Sequence, residues 1–112
     1  MNLVPATAQG KDASGFAVLL DGGSNMILPV EPDTAKKADR VEVGIRPENS
    51  ALGVGLSMKI RVLERLGGVS ITYGFLSNGQ RFSAVLPGDA AVAEGQTIGL
   101  TMNPADCHVF DV

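Results

Sequence analysis

Arg46 and Glu48 stand two positions apart in Val43-Gly44-Ile45-Arg46-Pro47-Glu48. In an extended chain, residues two apart point the same way, so a guanidinium can lie beside a carboxylate there. The expectation is a structural ion pair that pins a strand end, in preference to a ligand site, because structural pairs also perturb charged groups. Arg65, Gly67, Gly68 and Ser70 form a second cluster. A guanidinium, the N–H groups of a glycine turn and a hydroxyl are the donors an oxyanion needs, and no other stretch offers that set.

Other chemistry is harder to build. Cys107 and His108 are adjacent, and neighbouring residues of a strand face opposite ways, so they cannot act as a Cys-His pair. One His and one Cys fall short of the three or four ligands of a transition-metal site. Cys107 therefore reads as a small core residue and His108 as a packed or surface histidine. Gly22-Gly23 could suggest phosphate binding, but no GxxxxGK[ST] occurs and the pair leads into a strand, so it reads as a turn. The carboxylates are scattered, with Asp33, Asp39 and Glu42 expected in solvent, and they form no nameable acid/base pair. No catalytic residue, metal ligand or bound cofactor is expected of this chain.

Composition narrows the class. The 112 residues fit one domain, and 9 basic against 12 acidic side chains give a net charge of −3, opposite to the footprint of a nucleic-acid binder. The 14 glycines, the sparse aromatics and the absence of Trp suit short strands joined by tight turns, hence an all-β barrel or sandwich. A single Cys excludes an internal disulfide and is consistent with a reducing cytoplasm. No apolar run approaches the ~18 residues needed to cross a bilayer as a helix, and the start lacks the pattern of a signal peptide. No surplus of exposed apolar residues is expected.

The elements follow from alternation. Val41, Val43 and Ile45 alternate with Glu42, Gly44 and Arg46, a strand that Pro47 must end. Before it, Asn2–Ala8 is a strand that Pro5 should confine to an edge or bulge. Phe16, Val18 and Leu20 then pair with Met26, Leu28 and Val30 across a three-residue Gly22-Gly23-Ser24 loop that sets Leu20 against Met26. Residues 31–40 are an exposed connector. The stretch from Leu56 to Leu66 fits both strand and helix spacing; as a strand, bent near Val62-Leu63, it gathers Lys59, Arg61 and Arg65 on a solvated basic face. Val69, Ile71, Tyr73 and Phe75 alternate, followed by Asn78-Gly79 and then Phe82, Ala84 and Leu86. A two-residue type I′ loop sets Phe75 against Phe82, Tyr73 against Ala84 and Ile71 against Leu86 on one core face. Residues 90–94 are expected to form one helical turn. Strands over 97–102 and 108–110 close as a pair through Asn103–Asp106.

The words Val43-Gly44-Ile45-Arg46-Pro47-Glu48, with Met1-Asn2 near the start and Cys107-His108-Val109-Phe110 at the end, resemble the C-terminal TOBE-type domain of ATPase subunits of bacterial sugar and glycerol-phosphate ABC importers. The sequence departs from the family at Asn49, where His is usual, and at Gly68-Val69-Ser70, where an acidic residue and Thr are common. The resemblance favours the strand reading of residues 56–66. It implies an OB-like, MOP-like Greek-key barrel of short antiparallel strands over residues 1–112, as a piece of a longer subunit in which Met-Asn follows the ATPase domain. ATP and magnesium would belong to that missing domain. The implied function is a non-catalytic regulatory module that contacts its own ATPase domain, a second copy of the subunit, permease subunits and, in some members, a regulatory protein. The implied place is the cytoplasmic face of the bacterial plasma membrane, without insertion. Gly44, Arg46, Pro47 and Glu48 are the family-motif structural or interface candidates. Two other classes stand beside this one. Related TOBE-type domains bind oxyanions such as molybdate, which would use Arg65, Gly67, Gly68 and Ser70. An oligonucleotide-binding OB module would need exposed aromatics, whereas Phe16, Tyr73, Phe75, Phe82 and Phe110 mostly fall on expected core faces.

Overall fold

The structure, a computed structural model, describes residues 1–12, 15–21, 24–28 and 40–111. Of the connector expected over residues 31–40, residues 31–39 lie outside the described residues, as does the partner Val30, and Arg40 is instead the first residue of a strand. The strands are β1 (Asn2–Asp12), β2 (Gly15–Leu20), β3 (Ser24–Leu28), β4 (Arg40–Ile45), β5 (Ser50–Arg65), β6 (Val69–Leu76), β7 (Arg81–Pro87), β8 (Thr97–Met102) and β9 (His108–Asp111). Two short 3-10 turns, Pro47–Asn49 and Pro104–Asp106, interrupt them. Both sheets are antiparallel, one ordered β3-β2-β1-β4-β9 and the other β7-β6-β5-β8. They curl around one core as an OB-like barrel.

Each strand of the first sheet gives alternate residues to that core: Val4, Ala6 and Ala8 from β1, Phe16, Val18 and Leu20 from β2, and Val41, Val43 and Ile45 from β4. Leu56, Met58 and Ile60 of β5, with Phe82, Ala84 and Leu86 of β7, answer from the second. The ambiguous segment is thus a strand, and burial by alternate residues is the reason. Its alternation breaks at a bulge between Ile60 and Val62, one residue before the expected bend.

Several expectations are corrected. β1 is flanked by β2 and β4, so Pro5 lies in an inner strand. It is tolerated because β2 ends at Leu20; the Pro5 carbonyl accepts the Asp21 N–H (2.8 Å), and the missing N–H falls where that ladder has run out. The bulge of β1 is instead between Ala8 and Gly10. In the first hairpin Leu20 pairs with Ser24 and Val18 with Met26, so the loop is residues 21–23, of which Gly22 and Gly23 lie outside the described residues. The parity is as expected and the register is two residues tighter. Residues 90–94 form no helix; Ala90 and Val92 are buried without regular structure. β8 and β9 do not pair: β8 lies against β5 and β9 against β4, so the Pro104–Asp106 turn carries the chain from one sheet to the other.

The most consequential correction is in the β6–β7 hairpin. Phe75 pairs with Arg81, Tyr73 with Ser83 and Ile71 with Val85, a register displaced by one. The loop has three residues, Ser77-Asn78-Gly79: the Leu76 carbonyl accepts the Gly79 N–H (2.9 Å), and Leu76 N–H donates to the Gln80 carbonyl (2.8 Å). Only Gly79 needs positive φ (85°), whereas a type I′ loop would demand it of Asn78 as well, and Asn78 Oδ1 instead accepts the Gln80 N–H (3.0 Å). A slip of one residue turns a strand over. Ser70, Thr72, Gly74 and Leu76 therefore face the interior, and Val69, Ile71, Tyr73 and Phe75 face out. The interior accepts the polar set because Ser70 Oγ donates to the Gly88 carbonyl (3.2 Å) and Thr72 Oγ1 to the Ala84 carbonyl (3.2 Å). At Gly74, β5 comes so near that an added Cβ would meet the Lys59 carbonyl.

Candidate functional site

At the corner after β4, Arg46 is extended (φ −72°, ψ 138°), and Pro47 opens the 3-10 turn, closed by Asn49 N–H donating to the Arg46 carbonyl (2.9 Å). Side chains two apart in such a turn diverge by roughly 120°. Arg46 and Glu48 both project into solvent, and they form no ion pair among the described residues, which corrects the side-by-side placement. Among the described residues an ion pair joins Arg40 to Asp21 (2.8 Å), with Thr7 Oγ1 accepting from Arg40 Nη1 (2.7 Å). Gly44 lies on the outer face beneath Met1 and Phe110; a Cβ there would run into the Met1 sulfur and come within 2.9 Å of Phe110 Cε2. The corner is held from inside by a residue that carried no assigned role. Asn2 Nδ2 donates to the carbonyls of Ile45 (3.0 Å) and Ser83 (2.8 Å), and its Oδ1 accepts the Ser83 N–H (2.9 Å). One amide thus acts as a strand partner for β7 and fastens the two sheets together.

Arg65 and Ser70 come together at the far end of β5 and β6. Arg65 Nη1 donates to Ser70 Oγ (3.1 Å) and to the carbonyls of Gly88 (3.1 Å) and Ala90 (2.9 Å), and Nη2 donates to the Val92 carbonyl (3.0 Å). The Gly67-Gly68 turn is covered by Gly88, whose N–H donates to the Gly68 carbonyl (3.1 Å). The cluster is therefore a guanidinium ringed by carbonyl oxygens that ties down residues 88–92, and Nη1 and Nη2 of Arg65 and the Ser70 hydroxyl already have partners. Arg65 leaves the expected basic face, so that Lys59 and Arg61 are joined instead by Arg81.

Cys107 is buried and His108 exposed, as alternation requires. Burial, with Asp106 adding to it, raises the Cys107 thiol to about 11, so it stays protonated at neutral pH.

Two further expectations are corrected. Exposed apolar side chains are plentiful, among them Val62 (48%) and Tyr73 (39%) on the second sheet, Leu66 (57%) just past the end of β5, and Val54 (98%) at the tip of a β5 bulge in which Leu52 and Leu56 both oppose Leu100. Of the five aromatics, Phe16 and Phe82 are buried, while Tyr73, Phe75 and Phe110 reach the surface. Tyr73 and Phe75 border a groove of about 590 Å³ with Arg61, Gln80 and Arg81. The signal that could have found it was Gly79, placed to end a three-residue loop.

A family model described as TOBE domain matches residues 43–110, from β4 through β9. The chain belongs to the TOBE domain family. The alpha-glucoside transport ATP-binding protein AglK of Rhizobium meliloti (strain 1021) is 30% identical over 119 residues, covering 99% of this chain and 32% of the relative. The sn-glycerol-3-phosphate import ATP-binding protein UgpC of Chromobacterium violaceum is 35% identical over 115 residues, covering 99% and 30%. The maltose/maltodextrin import ATP-binding protein MalK of Yersinia pestis bv. Antiqua is 28% identical over 115 residues, covering 98% and 31%. This TOBE chain spans about a third of the length of those relatives and corresponds to their C-terminal region. Among solved structures, the cytoplasmic molybdate-binding protein ModG with molybdate bound superposes with a TM-score of 0.81 at 12% identity, covering 99% of this chain and 96% of ModG. At that identity the likeness is one of fold.

Proposed function

We propose that this TOBE domain is the non-catalytic accessory domain of the ATP-binding subunit of a sugar- or glycerol-phosphate-type ABC importer, where it contacts a second copy of the subunit and governs import. The supporting observation is that 99% of the chain aligns with the C-terminal region of ATP-binding subunits such as AglK and UgpC. In this reading ATP and magnesium bind the upstream domain, permease subunits hold the assembly at the cytoplasmic face of the membrane, and substrate choice lies in other subunits. Among the described residues, no helix is long and apolar enough to cross a membrane.

The apolar outer face around Val62, Leu66, Val69 and Ile71 is the surface we assign to the second copy. Tethered to an ATPase pair, two domains meet at roughly millimolar local concentration, so a small interface suffices and a regulator can displace it. The exposed Arg46 and Glu48 are the interface candidates of the family motif, beside the structural Gly44 and Pro47. The test compares the parent subunit with and without this domain. Truncation should leave ATP hydrolysis measurable while impairing its control or the subunit's dimer. A truncated subunit that hydrolyses ATP, dimerises and responds to regulators like the intact one would reject the reading.

A second reading, oxyanion binding, takes its support from the shared fold of ModG, which was solved with molybdate bound. At Arg65, Gly67, Gly68 and Ser70 an anion would have to displace the carbonyls of Gly88, Ala90 and Val92 from the guanidinium. Titration of molybdate, tungstate and sulfate against thermal stability decides it: a saturable rise in melting temperature, abolished by Ser70→Ala, would promote this reading, and no rise would dismiss it.

A further inference from the structure

The groove beside Tyr73 and Phe75 is built by two irregularities of the second sheet. The three-residue loop turns both rings outward and sets Phe75 directly opposite Arg81. The β5 bulge makes Arg61 the unpaired extra residue and brings its guanidinium over the Phe75 ring, 5.8 Å from the centroid. One guanidinium thus lies over the Phe75 ring, and Arg81 stands across from that ring on the neighbouring strand. Tyr73 extends that aromatic shelf, Met1 and Leu3 form an apolar wall across the groove, and Gln80 Nε2 donates to the Leu3 carbonyl (3.1 Å). No carboxylate lines it, and neither Arg61 nor Arg81 forms an ion pair with one among the described residues. The nearby Glu64 interacts instead with the Tyr73 hydroxyl, raising the pKa of that phenol. Lys59 lies beyond Phe75 in an adjoining recess that also lacks a carboxylate.

We propose that this groove binds a small phosphomonoester with an apolar or ring-bearing body, its head between Arg61 and Arg81 and its body between Tyr73 and the Met1 and Leu3 wall. Arginine forks match phosphate oxygens two at a time, and a phosphomonoester carries about −1.5 to −2 charges at neutral pH, which balances two guanidiniums. The volume of about 590 Å³ is that of a small-molecule site. The net charge of −3 disfavours a long polyanion. This site goes beyond the accessory reading.

The test titrates the full chain with phenyl phosphate, inorganic phosphate and benzyl alcohol, followed by calorimetry and by amide NMR shifts. Phenyl phosphate should bind saturably, about tenfold or more tighter than inorganic phosphate, with shifts at residues 73, 75, 80 and 81 and weaker binding at higher salt. Arg61→Gln and Arg81→Gln should each weaken it about tenfold, and Arg81→Lys, which keeps the charge but loses the fork, by less. Both arginines are exposed, so the variants should melt like the parent; if one does not, Arg81→Lys and Tyr73→Ala supply the comparison. The proposal is overturned by the absence of saturable binding below roughly 10 mM, by equal affinity for phenyl phosphate and inorganic phosphate, or by unchanged affinity in the arginine variants. Shifts confined to Arg65 and Ser70, or tighter binding of a short oligonucleotide than of phenyl phosphate, would overturn it too.

Discussion

Replacing Asn2 should unfasten the two sheets. The residue is 8% exposed, and its amide satisfies three backbone groups: the Ile45 and Ser83 carbonyls and the Ser83 N–H. In Asn2→Ala these groups lose their partner while the surrounding strands keep most water out. Each buried peptide group left unpaired costs about 1–3 kcal/mol; because Ser83 is only partly buried, the total should be about 2–4 kcal/mol. For a domain of this size that corresponds to a melting temperature lower by roughly 10–20 °C. Asn2→Asp is the sharper probe. It keeps an acceptor for the Ser83 N–H but turns an oxygen toward the two carbonyls, which disfavours its charged form and lifts its folded pKa above the unfolded value of about 3.9. The folded variant then holds its proton at a pH where the unfolded chain has lost it. Its stability should be greatest below about pH 4 and fall as pH rises through the folded pKa. Thermal melts followed by circular dichroism between pH 4 and 8 read both variants. An alanine variant within about 0.5 kcal/mol of the parent, or an aspartate variant whose melting temperature tracks the parent's at every pH, would refute the role of Asn2 as the sheet fastener.

Gly79→Val should cost about 1–3 kcal/mol because φ is +85° there, although a Cβ would meet nothing within 4 Å; Gly79→Asn, which tolerates that conformation, should cost clearly less, and equal melts would refute the three-residue loop. Arg65→Ala should free residues 88–92, seen as faster amide exchange there and a loss of about 1–2 kcal/mol; unchanged exchange would mean that the carbonyl ring does not hold the loop. Cys107, with its thiol pKa raised to about 11, should react with iodoacetamide at pH 8 far more slowly in the folded than in the unfolded protein, and equal rates would contradict its burial.

The all-β class, the place of most strands and the residues of β2, β4 and β7 that enter the core were legible in the chain alone. Period-two alternation is a local property, and Val41, Val43 and Ile45 or Phe82, Ala84 and Leu86 carry it regardless of what they pack against. The resemblance carried by residues 43–48 likewise needed no coordinates. Three things were left to tertiary structure. The face of β6 was decided by one residue of loop length, since both Val69, Ile71, Tyr73, Phe75 and Ser70, Thr72, Gly74, Leu76 alternate; interior hydroxyl partners and the close approach of β5 at Gly74 selected the second set. The partners of Arg65 and Asn2 were decided by contacts 27 and 81 residues distant in the chain. The groove was decided by where a bulge aimed Arg61 and where the register put Arg81, and neither is written in the spacing of those residues. Alternation fixes what each strand can bury; only the closing of the sheets on one another fixes which side it buries and which residues meet on the side left outside.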